Sequence, residues 1–459
     1  MKKLTFAAFM LLLLTARLYA QEQGHQLRVS REAGTRAVLA RSASARAAAE
    51  AMHAAHLTAP VPPAPPAAPV QPSGPAVVFM QSDPSDDPVL RKVFSKSFSV
   101  DRSNRVVINN QFGEVQIKSW DKMEVRAEVE IKAYATETED ARRLLDGVTI
   151  QASQNGNVVT YRTNIDDNRG KWGSWFSGGK RGRREVRVNY VVYLPTVNSL
   201  NVTNQYGNVE MGNFSGPLTA NVQYGNFNAV KLTNSAVSIS TQYGKTTVEA
   251  LNRANIRHEY GAGITIGAAS GLNLHAQYAK VTIGSVANDA LIRQEYGEGL
   301  TLGTVGSLDL SAQYVRVNIR EIKSANPSIR LDYGSLLLGN VRSLSLDADY
   351  TDVNISNLRG DGRFSVTYNK LSIGQVGAGV RSLVVNGQYA DISLGFVDDF
   401  NGDFDVQTNY SNLRYGGNNR ISARSIADDN HTSRRYQGKI GSGGSVVKIN
   451  SDYGGVTFR

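Results

Sequence analysis

The sequence predicts an all-β chain whose main body is a β-solenoid, or β-helix. Three observations carry that prediction. Tyrosines recur about every 18 residues beyond residue 200, each between a polar residue and a turn. Short apolar–polar alternations flank every one of them. Gly at 43 and Tyr at 20 are high while charged residues are 20%, a balance that suits strands better than helices.

The chain has 459 residues, with 50 Lys or Arg against 40 Asp or Glu and no Cys. Without Cys there are no disulfides, thiolate metal sites, cysteine nucleophiles or lipid-attachment cysteine. Lys2 and Lys3 precede the apolar run Leu4 to Ala16, and small Ala20 stands before Gln21. This reads as a secretory signal peptide over 1–20, with an uncleaved anchor as the alternative. No second apolar run reaches about 18 residues, so no transmembrane helix is expected, and the mature protein is placed in the periplasm, at the cell surface or outside the cell.

Residues 21–93 read as a disordered Ala/Pro-rich tether. Eight of the 13 prolines fall between Ala59 and Pro75, favouring an extended polyproline segment. His53 and His56 lie within it with no further ligand nearby, so they read as linker residues.

Residues 94–200 read as an N-terminal β-rich unit. Val125, Ala127, Val129, Ile131 and Ala133 alternate with Arg126, Glu128, Glu130 and Lys132, as in a strand with one wet face. A short helix is expected over 136–147, with Thr136 and Glu139 spaced as a capping box and Gly147 as its stop. Val186 to Leu194 resumes a strand.

Residues 201–459 carry the repeat: Tyr206, Tyr224, Tyr243, Tyr260, Tyr278, Tyr296, Tyr314, Tyr333, Tyr350, Tyr368, Tyr389, Tyr410 and, at the end, Tyr453. Phe112 in NQFGEVQI announces it early. Two strands of 5–7 residues cannot bury a face alone, but they can when stacked on identical neighbours. Stacking makes the tyrosines a structural ladder, with Gln, Asn, Thr and Ser ladders beside it. From Tyr260 the following residue alternates as Gly261, Ala279, Gly297, Val315, Gly334 and Thr351, so the coil is either 18 residues or a paired 36. An outer-membrane barrel is the competing architecture, but it needs strands of about 9–11 residues.

No catalytic signature is present: no G-x-S-x-G, H-E-x-x-H, Walker A or G-x-G-x-x-G. No catalytic residue and no cofactor are therefore assigned. Asp347, Asp349 and Asp352 imitate the acidic wall of polysaccharide-cleaving β-helices, yet Asp349 fills the recurrent polar slot before Tyr. Asp399, Asn401, Asp403 and Asp405 offer the oxygen ligands of a calcium loop, though Gly402 and Tyr410 depart from EF-hand spacing; a solvated loop is the alternative. The row Thr247, Thr265, Thr282, Thr301, Asn318, Asn354, Ser372 and Ser393 should face outward, as a glycan- or ice-facing surface or simply as a wet β face, with Leu337 and Arg414 interrupting it. The ligand-contact candidates are Lys171, Trp172, Trp175, Phe176, Lys180, Arg181, Arg183 and Arg184, in the basic Trp loop 170–184. Cations among aromatics suit anionic polysaccharide, lipid headgroups or another envelope protein. Nucleic acid is not expected as a partner. The alternative role for the loop is a lid over one end of the solenoid.

The segment FSVDRSNRVVINNQFGEVQIKSWDKMEV, followed by QYGNV-type turns, resembles the bacterial putative-adhesin family of exported β-strand repeat proteins of unknown function, in its Bacteroidetes-type members. The resemblance covers about residues 94–459, implies a β-strand repeat fold, and supplies no catalytic residues. The sequence thus points to an exported, non-enzymatic β-solenoid with an adhesin-like or cell-envelope role. The alternatives are a purely structural periplasmic solenoid and a polysaccharide-active β-helix enzyme.

Overall fold

A computed structural model describes residues 90–166, 184–324, 326–416, 420–427 and 432–459. The chain divides into two units, Met1–Pro66 and Ala67–Arg459. The first lies outside the described residues, as do the expected signal peptide and most of the expected tether. The second is nearly all β. Among the described residues it holds twenty-five strands in one long, mostly parallel sheet, and one helix, an arrangement consistent with a β-solenoid.

The strands follow one another as β1 (Leu90–Ser99), β2 (Arg105–Gln111), β3 (Val115–Trp120), β4 (Glu124–Ala135), α1 (Thr138–Asp146), β5 (Val148–Asn155), β6 (Val158–Ile165), β7 (Arg184–Pro195), β8 (Ser199–Gln205), β9 (Val209–Phe214), β10 (Leu218–Gln223) and β11 (Phe227–Leu232). Next come β12 (Val237–Gln277), β13 (Lys280–Glu295), β14 (Gly299–Gln313), β15 (Arg316–Ile322), β16 (Ser328–Val341), β17 (Leu344–Leu358), β18 (Gly362–Val376) and β19 (Ser382–Phe396), of which β12, β16, β17, β18 and β19 run through tyrosine corners. The last six are β20 (Gly402–Asn409), β21 (Leu413–Tyr415), β22 (Ile421–Ala427), β23 (Ser433–Ile440), β24 (Ser445–Asp452) and β25 (Val456–Phe458).

Register follows composition. Leu218 pairs with Leu200 and Val237, Leu346 with Ile329 and Phe364, so like sits on like. Inward residues such as Leu218, Ala220 and Val222 on one strand, and Phe227, Ala229 and Leu232 on the next, form one continuous core. Because every other side chain points inward, a one-residue slip would expose the whole set, and this pins the register.

The stack does not follow chain order at either end. β6 pairs in parallel with β2, which pairs with β8; β7 pairs with β3, which pairs with β9. The coil made by β2 and β3 therefore lies inside the coil made by β6 and β7. At the other end, β24 and β25 lie between β19 on one side and β20 and β21 on the other. The coil of β2 and β3 and the coil of β24 and β25 are thus each tucked one coil in from the end of the stack. The pairing also runs unbroken across residue 200, so the expected division there is not a structural boundary.

Antiparallel strands close the ends. β4 covers β7 and is itself covered by β1, while β23 covers β20 and is covered by β22. Covered ends keep parallel strand edges from templating further chains. β1 begins at Leu90, inside the stretch read as tether to 93. The helix is shorter than the expected 136–147, and the capping box is absent. Its N-cap is Glu137, with no side-chain cap hydrogen bond, and Gly147 ends it in the right-handed region. Glu139 and Asp140 in its first turn serve the positive helix end instead, while Ala141, Leu144 and Leu145 are buried.

Candidate functional site

The tyrosine corner is the unit from which every candidate surface is built. All thirteen ladder tyrosines, and Phe112, sit at positive φ, between 47° and 60°. The sequence placed the turn on the following glycine; the tyrosine itself takes the left-handed conformation, which costs an L-residue roughly 1–2 kcal/mol. Stacking offsets this. Consecutive rings lie 4.5–5.3 Å apart at 2–15°, from Phe112 on Tyr206 through to Tyr389. Such pairs are worth about 0.5–1.5 kcal/mol each. The sequence order then breaks: Tyr389 stacks on Tyr453, and Tyr453 on Tyr410, because β24 is the inserted strand. At ~4.8 Å per step the column runs roughly 60 Å.

These geometries make a test at one corner. Tyr278→Ala loses two stacking partners and keeps the strained φ of 51°, whereas Tyr278→Gly loses the same contacts without that strain. The Gly variant should be the more stable by about 1 kcal/mol in urea unfolding. The reverse order would mean that the corner is unstrained.

Beside the rings runs a carboxamide column. Gln205 Nε2 donates to Gln223 Oε1 at 3.1 Å, Gln223 to Gln242 at 2.9 Å, and Gln242 to Glu259 at 3.2 Å. Gln277 donates likewise to Glu295, and Gln313 to Asp332. Two residues before some of the aromatics, a buried polar side chain donates to corner carbonyls. Asn204 Nδ2 donates to Gly113 O at 2.9 Å, Gln294 Nε2 to Ala279 O at 2.9 Å, and Ser451 Oγ to Gly454 O at 2.7 Å.

His258 holds this buried position on its own coil. Its Nδ1 lies 3.3 Å from Thr246 Oγ1, and Nε2 has no hydrogen-bond partner among the described residues. Burial pushes its pKa down to about 4, against a smaller upward pull from Glu259. Unfolded, it titrates near 6.5, so between those values the unfolded chain binds the extra proton. The histidine's contribution is full above about pH 6.5 and falls by roughly 3 kcal/mol by pH 4. His258→Gln should flatten the urea midpoint between pH 7 and pH 4; an unchanged pH slope would refute the assignment.

The other sequence candidates fall as follows. Lys171, Trp172, Trp175, Phe176, Lys180, Arg181 and Arg183 lie outside the described residues. Arg184 opens β7 and is ion-paired with Asp140 of α1. Asn401 Oδ1 accepts the Ser442 N–H and Asp403 Oδ2 the Gly444 N–H, both at 2.9 Å, while Arg435 Nε donates to Asp405 Oδ1 at 2.8 Å. That hydrogen bond holds the Asp405 carboxyl below its ordinary range. Of the oxygens read as calcium ligands, those of Asn401 and Asp403 thus secure the lead-in to β24 and those of Asp405 bind Arg435 on β23, and among the described residues no group of three or more His, Asp or Glu is placed to hold a metal. Asp347 sits 3.5 Å from Arg330, Asp349 is in register with Asp332, and Asp352 lies past the Tyr350 corner, so the three do not converge. The Thr265, Thr282, Thr301 and Asn318 column is in register but single, since the next outward positions are Gly267, Gly284 and Gly303.

A cleft interrupts this regular surface. β2 stays paired with β8 through Gln111 and Gln205, but its pairing with β6 ends at Asn109 and Arg162. Where the strands part, a cleft of roughly 650 Å³ opens, lined by Asn109, Gln111, Phe112, Arg162, Asn164, Thr203 and Gln205 among others. No repeat position marks where two strands separate, so nothing in the repeat pattern points to it.

No protein-family model and no curated protein matches the chain. Among solved structures, it is similar to a putative cell adhesion protein from Clostridium sporogenes, at 6% identity over 80% of this chain and 99% of that one, with a TM-score of 0.16. A putative adhesin from Parabacteroides merdae is 10% identical over 80% of this chain and 96% of that one, at a TM-score of 0.18. A putative lipid binding protein from Parabacteroides distasonis is 8% identical over 80% and 96%, at 0.19. No helix of the described residues is long and apolar enough to cross a membrane.

Proposed function

We propose that this is an exported, non-enzymatic β-solenoid of 18-residue coils that presents an adhesin-like or cell-envelope binding surface. Residues 1–20 act as signal peptide and the Ala/Pro-rich stretch that follows as tether. The tyrosine column is structural: its ring faces are covered by one another, leaving only edges and hydroxyls, so it offers no stacking platform for a ligand. The contact surface is instead the basic aromatic segment, with Lys171, Trp172, Trp175, Phe176, Lys180, Arg181 and Arg183. The observation that carries this reading is topological. β6 ends at Ile165 and β7 begins at Arg184, so the segment joins the two strands that pair with β2 and β3. Its cations are unaccompanied by any acid between Gly170 and Arg184.

The test compares residues 21–459 with a variant whose 171–183 are replaced by a short Gly/Ser linker, keeping Arg184 for Asp140. Phosphatidylglycerol vesicles, polygalacturonate and neutral dextran are the probes, at low and moderate salt. Binding to an anionic probe that weakens with salt and is lost with the segment supports the surface reading. Equal behaviour of the two proteins favours the purely structural solenoid.

A further inference from the structure

We infer that the cleft between β6 and β2 is a binding site for the acidic residues of a glycan, a uronic acid type of sugar. Outward side chains there form two short rows. Arg162, Asn109 and Thr203 are in register across three strands; Gln111 and Gln205 are in register beyond them, with Asn164 on the strand that has parted. These six side chains offer four carboxamides, one hydroxyl and one guanidinium, and no carboxylate. A carboxamide donates and accepts at once, which suits vicinal sugar hydroxyls. A guanidinium suits a carboxylate, which it can hold through two hydrogen bonds.

Two features mark this place. Gln205 gives its N–H to Gln223, and no described residue donates to its Oε1. The column is thus unfinished here, and a hydroxyl-bearing ligand continues it. Arg162 has no ion-pair partner among the described residues and stands in register with Asn109, so its guanidinium is open to an anionic ligand. A volume near 650 Å³ is that of a small-ligand site and accommodates two or three sugar rings.

This deepens the surface-binding reading and rests on it, but its residues are separate from the basic aromatic segment. The test is calorimetric titration of residues 21–459 with trigalacturonic acid and with its methyl ester, at moderate salt. Saturable binding with Kd below about 1 mM is expected for the acid, at least tenfold weaker for the ester, and at least tenfold weaker for Arg162→Gln. Asn164→Ala is a second exposed variant and should weaken binding severalfold. The variant lacking 171–183 should bind the trisaccharide unchanged, even where it loses vesicles or polymer. Equal affinity for acid and ester, or full affinity in Arg162→Gln, would overturn the proposal, as would loss of trisaccharide binding on replacing 171–183. The ester comparison uses the unaltered protein, so it stands even if a variant fails to fold. Failure of the segment to bind vesicles or polymer, with Arg162-dependent trisaccharide binding intact, would refute the segment and leave the cleft.

Discussion

Removing Ser445–Arg459 will unseat everything that follows Phe396, whereas a longer truncation ending at Phe396 will leave the preceding coils standing. In a solenoid stacked in chain order, each further truncation removes one more end coil, and the damage grows with length. Here β24 and β25 are inserted, so deleting them empties an interior layer. Val447, Ile449, Val456 and Phe458 are all essentially fully buried. At about 2–4 kcal/mol each the loss is on the order of 10 kcal/mol, comparable with the whole stability of a domain. β20 then loses its parallel neighbour, β21 loses β25, and Tyr410 loses the ring it stacks on. Limited proteolysis with mass spectrometry distinguishes the outcomes. The short truncation should be cut rapidly between 397 and 440, and the long one should yield a resistant core. A short truncation that resists as well as the full chain would refute the inserted order.

Much of this architecture was legible because stacking repeats its demands. A ladder position has the same neighbours above and below, so it asks for the same residue each time, and the tyrosine period follows directly. Phe112 was legible for the same reason. What escaped was information that does not repeat. The motif around Tyr453 looks like any other coil, and nothing local says that it is inserted between Tyr389 and Tyr410; that depends on pairings 64 residues apart, such as Asn386 with Asn450. The left-handed tyrosines escaped because that conformation usually falls to glycine, and a glycine stood next to most of them. The cleft at Arg162 escaped because it exists only where two strands part. The candidate contacts outside the repeat were legible as composition alone: cations and tryptophans without acids, with no period to place them.

Gly334→Val will cost roughly 3–5 kcal/mol, and Val315→Gly in the same chain will return part of it. The corner residue after each tyrosine faces the coils on either side, and Ala279, Val315, Thr351 and Ala390 are all buried there. Each of these four is preceded by a coil with Gly or Asn at that position: Gly261, Gly297, Gly334 and Asn369. A Cβ on Gly297 would meet the Ala279 carbonyl, on Gly334 the Val315 carbonyl, and on Gly454 the Ala390 carbonyl. The alternation therefore follows packing between successive coils, a larger residue filling what its neighbours leave empty. Valine at 334 would put three β-branched residues, 315, 334 and 351, on consecutive coils against backbone that cannot withdraw. Glycine at 315 frees that carbonyl to rotate away, which the valine there does not allow. Urea unfolding of the two single variants and the double variant measures the coupling directly. A single-variant cost below about 1 kcal/mol, or strictly additive effects, would show that the corner residues do not pack against one another.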